Sequence, residues 1–288
     1  MSLFFVLQDE ATFKDKKMTE PNELFGIGDH QLQKEIAKDT LERYSGSPIS
    51  LFQPYILLTN FGRYVEHFAK CYQSEVHEGA MFRVAHSPEE KISIIDFKIG
   101  SPAAALVMDL LAFLPVNCTL LLGMCAGLRE DYKIGEFFVP VGSIRGDATS
   151  DFYFPPEVPA LANFTVQKVV TNVLDKEKVT YHLGITHTTN KRFWEFNVDF
   201  KKKLQDSRAQ ALEMECATIF TAGYHHRLPS GALLLISDIP LKPHGIKTKK
   251  SSEKVFKDFT SGHISLGIVM IKEMQKVKRL SEYRKHVH

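Results

Sequence analysis

The chain has 288 residues, of which 44% are hydrophobic, so it can bury a large core as one domain with or without a terminal extension. Its 36 Lys and Arg nearly balance its 34 Asp and Glu, and a net charge of +2 gives no reason to expect a nucleic-acid or acidic-membrane partner. Four widely spaced cysteines without a Cys-x-x-Cys pair indicate a reducing compartment and predict no zinc site.

The sequence shows no targeting or membrane-spanning signal. The apolar start at residues 3–7 is too short for a signal-peptide core and lacks a preceding basic region. The longest apolar stretch, residues 103–116, contains Asp109 and is shorter than the ~20 residues of a membrane helix. We therefore expect a cytoplasmic protein with a disordered or extended lead at residues 1–28. One domain at residues 29–288 would follow.

The predicted elements alternate between strands and helices. Asp29 is placed to cap a first helix through about Tyr44, so residues 29–48 form a helical arm. This alternation favours an α/β sandwich. Strands are expected at residues 55–59, 81–85, 92–97, 119–123, 136–143, 179–186 and 232–236, and helices at residues 63–72, 103–114, 162–174, 196–204, 217–226 and 253–278.

Two acidic residues alternate with apolar ones in Ala211-Leu-Glu-Met-Glu-Cys216. A strand here would place Glu213 and Glu215 on one face and Met214 on the other. Carboxylates at a strand end are candidates for chemistry. A strand-end ion pair or a helix N-cap would explain the same glutamates without it.

A third acidic residue follows a fully apolar run. Residues 232–236 predict a strand buried on both faces, which delivers Ser237 and Asp238 to its carboxyl end. Open parallel sheets bind ligands at that end. The alternative is an Asp that starts the turn before Pro240.

Two glycine-containing turns follow predicted strands. Gly123-Met-Cys-Ala-Gly-Leu128 would let the backbone approach a small ligand closely, although a simple tight turn is the stronger explanation of this segment by itself. In Gly100-Ser-Pro-Ala103, free N–H groups and the Ser101 hydroxyl could meet an anion or a sugar hydroxyl. A capped helix with Pro102 at its first position explains that turn as well.

Two further segments supply aromatic and cationic side chains. In Thr188-Thr-Asn-Lys-Arg-Phe-Trp-Glu195, Phe193 or Trp194 could stack on a base and Arg192 could bind phosphate, or Arg192 could be an ordinary surface residue. Residues 241–252 form a lysine-rich loop after Asp238. Such a loop is either a solvated linker or a cover for a phosphate-bearing substrate.

Taken in order, these segments resemble the nucleoside phosphorylase and nucleosidase superfamily, with its Gly-rich turn, Glu-Met-Glu ribose motif and Ser-Asp acid. The likeness runs from about residue 30 to the end and implies a three-layer α/β/α sandwich with a central mixed sheet. Residues 29–288 would then be one catalytic domain. Larger members carry an N-terminal regulatory domain, which we do not expect here. Within the superfamily the chain resembles the AMP nucleosidases, through Arg43-Tyr-Ser-Gly, Gln53-Pro-Tyr-Ile-Leu-Leu-Thr-Asn60, Cys125-Ala-Gly-Leu-Arg-Glu130, Thr188-Thr-Asn-Lys-Arg-Phe-Trp-Glu195 and Ser237-Asp-Ile-Pro-Leu-Lys242.

The resemblance implies a reaction and a role for each matching residue. AMP would be hydrolysed to adenine and ribose 5-phosphate, with Asp238 as the acid at purine N7 and Glu215 as the acceptor for ribose hydroxyls. It implies no metal or organic cofactor, a homo-oligomer such as a hexamer, and phosphate as a candidate effector. The implied ribose contacts are Glu215, Met214, Glu213 and Ser101, the base contacts are Phe193, Trp194, Gly127 and Ala126, and the phosphate contacts are Arg63, Arg192, Lys247 and Arg43.

Departures from the phosphorylase pattern favour water over phosphate as the nucleophile. Leu121 and Met124 stand where phosphorylases carry the arginine and serine that clamp phosphate. No motif identifies the residue that activates water, and Glu66 is the candidate. Ala126 replaces a glycine, which is tolerated unless its φ is positive. The competing functions are a purine nucleoside phosphorylase and a non-catalytic nucleotide-binding protein.

Overall fold

The computed structural model describes residues 30–282 of the chain. The chain divides into two compact units, one ending at Ile36 and the other beginning at Ala37. The predicted lead at residues 1–28 and the predicted cap Asp29 lie outside the described residues. The domain boundary after residue 28 therefore stays a prediction. Across residues 30–282, no helix has the length and apolarity needed to cross a bilayer.

The helices and strands largely follow the predicted order. The helices are α1 (His30–Ser45), α2 (Gly62–Tyr72), α3 (Ser101–Leu111), α4 (Phe164–Lys176), α5 (Val198–Asp206), α6 (Cys216–His225), α7 (Lys249–Gln275) and α8 (Lys278–Glu282). The strands are β1 (Tyr55–Thr59), β2 (Val76–Glu78), β3 (Arg83–Ser87), β4 (Ile92–Asp96), β5 (Cys118–Gly127), β6 (Phe137–Gly146), β7 (Ala160–Leu161), β8 (Tyr181–Thr189), β9 (Ala211–Glu213) and β10 (Ser230–Asp238).

The strands form one mixed sheet. Strands β2, β3, β4 and β1 lead to β5, with β1 parallel to both β4 and β5. Strand β10 pairs in parallel with β5 and antiparallel with β6, while β9 joins β8 back to β5. Strands β5, β10, β6, β8 and β9 therefore form a closed ring, a closure that was not predicted.

Helices cover both faces of the sheet, as the alternation along β1 shows. Ile56 and Leu58 pack in a core with α1, α3 and α6, whereas Tyr55 and Leu57 pack in a second core with α2, α4 and α7. Successive strand residues point to opposite faces, so a central strand that is apolar throughout must be covered on both sides. The predicted three-layer α/β/α sandwich with a central mixed sheet is confirmed.

Three predictions about individual elements need correction. Strands β2 and β7 were missed, because three and two residues have too little pattern to be recognised. The lysine-rich loop is shorter than predicted, because Thr248 and Ser251 form a capping box that starts α7 at Lys249. The predicted strand through Glu213 and Glu215 ends at Glu213, for a reason that lies in the site.

Candidate active site

The carboxyl ends of β1, β5 and β10 meet at one edge of the sheet, because these three strands are parallel neighbours. A cleft of about 310 Å³ opens at that edge. This is the position where open α/β sheets bind ligands. Its lining is Asn60, Phe61, Ile99, Met124, Cys125, Ala126, Thr189, Lys191, Arg192, Trp194, Glu195, Leu212, Glu213, Met214, Glu215, Ser237, Asp238, Lys247, Ser252 and Phe256.

A second cavity, of about 370 Å³, lies elsewhere in the described part of the chain. Residues 158–164 and the segment around Leu228 line it, and none of its lining residues is acidic or basic. Four carboxylates and three cations converge on the first cleft instead. Acid–base chemistry therefore belongs to the cleft at the sheet edge.

Glu213 acts as a cap for helix α6. Its carboxylate accepts the N–H of Glu215 at 2.7 Å and of Cys216 at 2.6 Å, together with the hydroxyl of Thr188. These bonds turn the chain after Glu213, which is why the predicted strand stops there and Glu215 occupies the N-cap position of α6. A fourth donor, the Ser143 hydroxyl, lies 3.5 Å away, so protein donors occupy most of the acceptor capacity of this carboxylate.

Glu215 is buried and faces the cleft. Its carboxylate accepts the Gly100 N–H at 2.7 Å and the Met214 N–H at 3.3 Å. Burial and the nearby charge of Glu213 raise the pKa of Glu215 to about 8, while the Gly100, Met214 and Asn60 hydrogen bonds oppose the rise. Near neutral pH this carboxyl is therefore largely protonated until a ligand or a partner stabilises its charge.

Gly100 supplies that first hydrogen bond from a left-handed conformation, with φ at +96°. The turn before α3 was expected to bind an anion or a sugar hydroxyl, and in the structure its Gly100 N–H binds the carboxylate of Glu215. The Ser101 hydroxyl donates to the Met214 carbonyl at 2.8 Å and lies just behind the cleft surface. Ser101 therefore holds the Met214 backbone, and Met214 lines the cleft.

Asp238 stands at the end of β10, next to a β-bulge. The pairing of β10 with β5 shifts between Ile236 and Asp238, which leaves Ser237 as the bulged residue. The Ser237 hydroxyl lies 2.6 Å from Asp238 Oδ1, and the Lys247 ammonium lies 3.0 Å from Ser237 Oγ. Burial raises the pKa of Asp238, and the Ser237 hydroxyl and the charges of Lys247 and Arg192 oppose the rise.

The segment after β8 closes the same end of the cleft. Trp194 is buried and packs with Leu212 in a small apolar cluster. Glu195, also buried, accepts the Trp194 N–H at 3.0 Å and lies 3.4 Å from the Arg192 guanidinium. Arg192 and Glu195 both influence the pKa of Asp238, so they lie at its end of the cleft.

The structure gathers most of the predicted site residues but not all of them. Phe193 is 73% exposed and packs against Phe196 rather than into the cleft. The Cα of Gly127 faces Tyr132 and Ile236. Ala126, which does line the cleft, has no positive φ, so its methyl group adds no backbone strain. The predicted residues on the cleft surface are Asp238, Glu215, Met214, Glu213, Trp194, Ala126, Arg192 and Lys247.

Three other predicted residues lie away from the cleft surface. Arg63 has its guanidinium 5.3 Å from the ring centre of Phe256, which lines the cleft. Arg43 pairs with Asp39 along the exposed face of α1. Glu66 pairs with Arg83 at 3.0 Å and does not line the cleft.

Sequence reasoning missed several polar residues of the cleft, among them Asn60 and Glu195. Asn60 directly follows β1, and its side chain hydrogen-bonds Glu215 and donates to the Lys98 carbonyl at 2.6 Å. Its position after a buried strand is the same signal that identified Asp238. Glu195 had no such signal, because only the folded chain brings it beside Asp238.

The comparisons with known proteins agree with this geometry. The family model of the phosphorylase superfamily matches residues 54–262, which include every residue of the cleft. The chain belongs to the phosphorylase superfamily. Within that superfamily, a solved structure of AMP nucleosidase from Bacteroides thetaiotaomicron is 33% identical, covers 85% of this chain and 99% of its own, and superposes with a TM-score of 0.75.

Other superfamily members differ in activity and in length. AMP nucleosidase of Escherichia coli K12 is 29% identical over 274 residues, which is 79% of this chain and 56% of that protein. The chain thus spans about half the length of that relative. Uridine phosphorylase of Treponema pallidum is 26% identical over 51% of this chain and 61% of its own length. A uridine phosphorylase structure from Vibrio fischeri, with 17% identity and a TM-score of 0.69, shares the fold.

Proposed function

We propose that this protein is an N-glycosidic hydrolase that cleaves AMP to adenine and ribose 5-phosphate. The observation that carries the proposal is the convergence on one cleft of two buried carboxyls, Glu215 at the N-cap of α6 and Asp238 at the end of β10. The two relatives named AMP nucleosidase support the choice of substrate.

In the proposed reaction the C1′–N9 bond of AMP breaks while Asp238 donates a proton to N7 of the departing purine. Water adds to C1′ and releases a proton to the solvent, from which Asp238 is protonated again. The protonated form is accessible because burial raises the pKa of Asp238. Glu215 accepts the ribose hydroxyls and stabilises the positive charge that develops on the sugar. Glu213 accepts a hydrogen bond from the Glu215 N–H and thereby orients Glu215. The two acidic residues therefore have different tasks.

Hydrolysis is favoured over phosphorolysis by the residues near the glycine-rich turn. Met124 lines the cleft and Leu121 is buried in the core, and neither side chain can hold inorganic phosphate. For this reason we place purine nucleoside phosphorylase second, behind the hydrolase. A non-catalytic nucleotide binder is the third, and it gives no reason for a buried acid at N7.

For the 5′-phosphate we propose Arg63 among the four predicted arginine and lysine residues. Asn60 contacts Glu215, at the ribose end, and Arg63 follows it at the start of α2 beside Phe256. Arg192 and Lys247 lie instead beside Asp238, at the base end. Arg63→Met should raise the KM for AMP at least about tenfold, the size expected for one lost charge-assisted bond, and leave adenosine binding unchanged.

The decisive experiment is product analysis. Pure protein is incubated with AMP or adenosine, each with and without phosphate, and the products are separated chromatographically. Adenine and ribose 5-phosphate from AMP without phosphate would support the proposal. Phosphate-dependent cleavage of adenosine would favour the phosphorylase, and release from neither would favour the binding protein.

A matched variant assigns the acid. Asp238→Asn keeps the shape of the side chain but cannot donate an acidic proton, so turnover should fall by about 10²- to 10⁴-fold. AMP binding should stay within a few fold. Equal losses in turnover and binding would mean that Asp238 is structural. Cytoplasmic location, a hexameric assembly and an effector role for phosphate remain predictions.

A further inference from the structure

Three polar groups at the base end of the cleft form a continuous hydrogen-bond chain. The Lys247 Nζ lies 3.0 Å from Ser237 Oγ, which lies 2.6 Å from Asp238 Oδ1. Lys247 comes from the loop before α7, and its Nζ also lies 3.8 Å from the Met124 sulfur. The chain links a cation to the proposed acid through a single hydroxyl.

Donor and acceptor rules set the direction of this chain. A lysine ammonium can only donate, so Ser237 Oγ accepts from Lys247 and its own hydrogen must point elsewhere. The carbonyl of Cys125 is an alternative acceptor, but at 3.2 Å it is farther than Asp238 Oδ1. The Ser237 hydrogen therefore goes to Oδ1, which acts as an acceptor.

The positive charge of Lys247 lies behind Ser237, on the Oδ1 side of the carboxyl group. Its Coulomb repulsion disfavours an acidic proton on that oxygen. When Asp238 is neutral, Oδ2 is left to carry the proton.

We propose that Lys247 and Ser237 are positioning residues that hold Asp238 with its acidic proton on Oδ2, directed at the leaving base. The inference rests on the proposed function, in which Asp238 protonates the purine. It also assigns Lys247 a role other than the predicted phosphate contact.

Groups from two other segments also affect the pKa of Asp238 or of Lys247. Arg192 and Glu195 come from the segment after β8, and Cys125 from β5. The Cys125 thiol has a pKa well above its usual range because it is buried, so it stays neutral throughout the assay range. Removing the charge of Lys247 should therefore raise the pKa of Asp238, since Lys247 lowers it now.

The test compares four variants with the wild type and measures kcat, KM and pH profiles with AMP. Lys247→Met and Ser237→Ala should each lower kcat by about 10- to 100-fold, the size expected for a misaligned reacting group. KM should change by less than about threefold if the effect is on orientation alone. The double variant should be no worse than the poorer single variant, because both act on one carboxyl. Lys247→Arg should restore most of kcat, because it keeps the charge and the donors.

The pH profile separates this role from a structural one. In Lys247→Met the alkaline limb of kcat should move to higher pH, and in Lys247→Arg it should not move. Lys250→Met removes an exposed lysine in the first turn of α7 and serves as the control. Thermal unfolding checks that every variant is folded.

Several results would overturn the inference. Unchanged kcat in the variants, additive losses in the double variant, or a loss confined to AMP affinity would each refute the positioning role while leaving AMP hydrolysis in place. A wild-type protein that cleaves no AMP would remove both proposals. The wild-type measurement thus tells the two failures apart.

Discussion

Replacing Glu215 with Gln should make the protein more stable than the wild type in alkaline solution. Burial and the charge of Glu213 raise the pKa of Glu215 from 4.5 to about 8 in the folded protein. Between those two values the folded state holds a proton that the unfolded state has lost. Wild-type stability must therefore fall as pH rises through this window, and it levels off once the folded carboxyl has ionised.

The size of the effect follows from the width of the window. One pKa unit corresponds to about 1.4 kcal/mol, so the two units between about pH 6 and pH 8 give a loss of about 2.5 kcal/mol in the wild type. Gln is neutral at every pH and can still accept the Gly100 N–H. Its amide group would face the Met214 N–H, a loss of about 1 kcal/mol that does not depend on pH.

Urea unfolding of both proteins near pH 6, 7.5 and 9 measures the difference in unfolding free energy. From pH 6 to pH 9, the unfolding free energy of the variant should rise by about 2.5 kcal/mol relative to that of the wild type. Glu157→Gln, in an exposed loop, is the matched control and should show no such trend. A flat difference for Glu215→Gln would refute the conclusion that this carboxyl is held protonated by burial and by Glu213.

Three further substitutions test local parts of the structure. Gly100→Ala should destabilise the protein by about 1–2 kcal/mol, because φ at +96° strains any residue with a Cβ; chemical denaturation measures this, and no loss would contradict the backbone conformation. Tyr64→Phe removes the hydroxyl that lies 2.9 Å from His263 Nδ1, and the unsatisfied ring nitrogen should lower unfolding free energy by about 1–3 kcal/mol in the same assay. Because burial lowers the pKa of His263 to about 4, wild-type stability should also fall as pH drops from about 6.5 towards 4, where the unfolded imidazole takes up the proton. Thr188→Val keeps the side-chain shape but leaves the Ala217 N–H without its acceptor at 2.9 Å, so a loss of about 1–3 kcal/mol is expected in urea unfolding.

Local patterns predicted much of this structure. β1 was predicted at its observed bounds and the core of β10 was recognised, because a short unbroken apolar run is typical of a strand covered on both faces. The same pattern predicted that Asp238 lies at the carboxyl end of this strand, at the edge of the sheet.

Other features depend on residues that are far apart in sequence. The alternation of Glu213 and Glu215 predicted one continuous strand, yet Glu213 accepts hydrogen bonds from the Thr188 hydroxyl and from the first N–H groups of α6. The bond from Thr188 forms only when β8 lies beside β9. Glu195 and Lys247 reach Asp238 in the same way, from two loops that sequence alone does not bring together.

The sequence by itself determined the order of the elements, the position of the acidic residues at strand ends and the family of the fold. Periodicity, capping and turn chemistry act over a few residues, so they can be recognised before folding. The tertiary structure decided which side chains face the cleft and how each carboxyl is charged. Closure of the ring formed by β5, β10, β6, β8 and β9 buries Glu213, Glu215 and Asp238 together. The pKa of each carboxyl depends on burial and on groups from separate segments, such as Gly100 and Asn60 for Glu215 and Arg192 and Lys247 for Asp238, which no short segment of sequence contains.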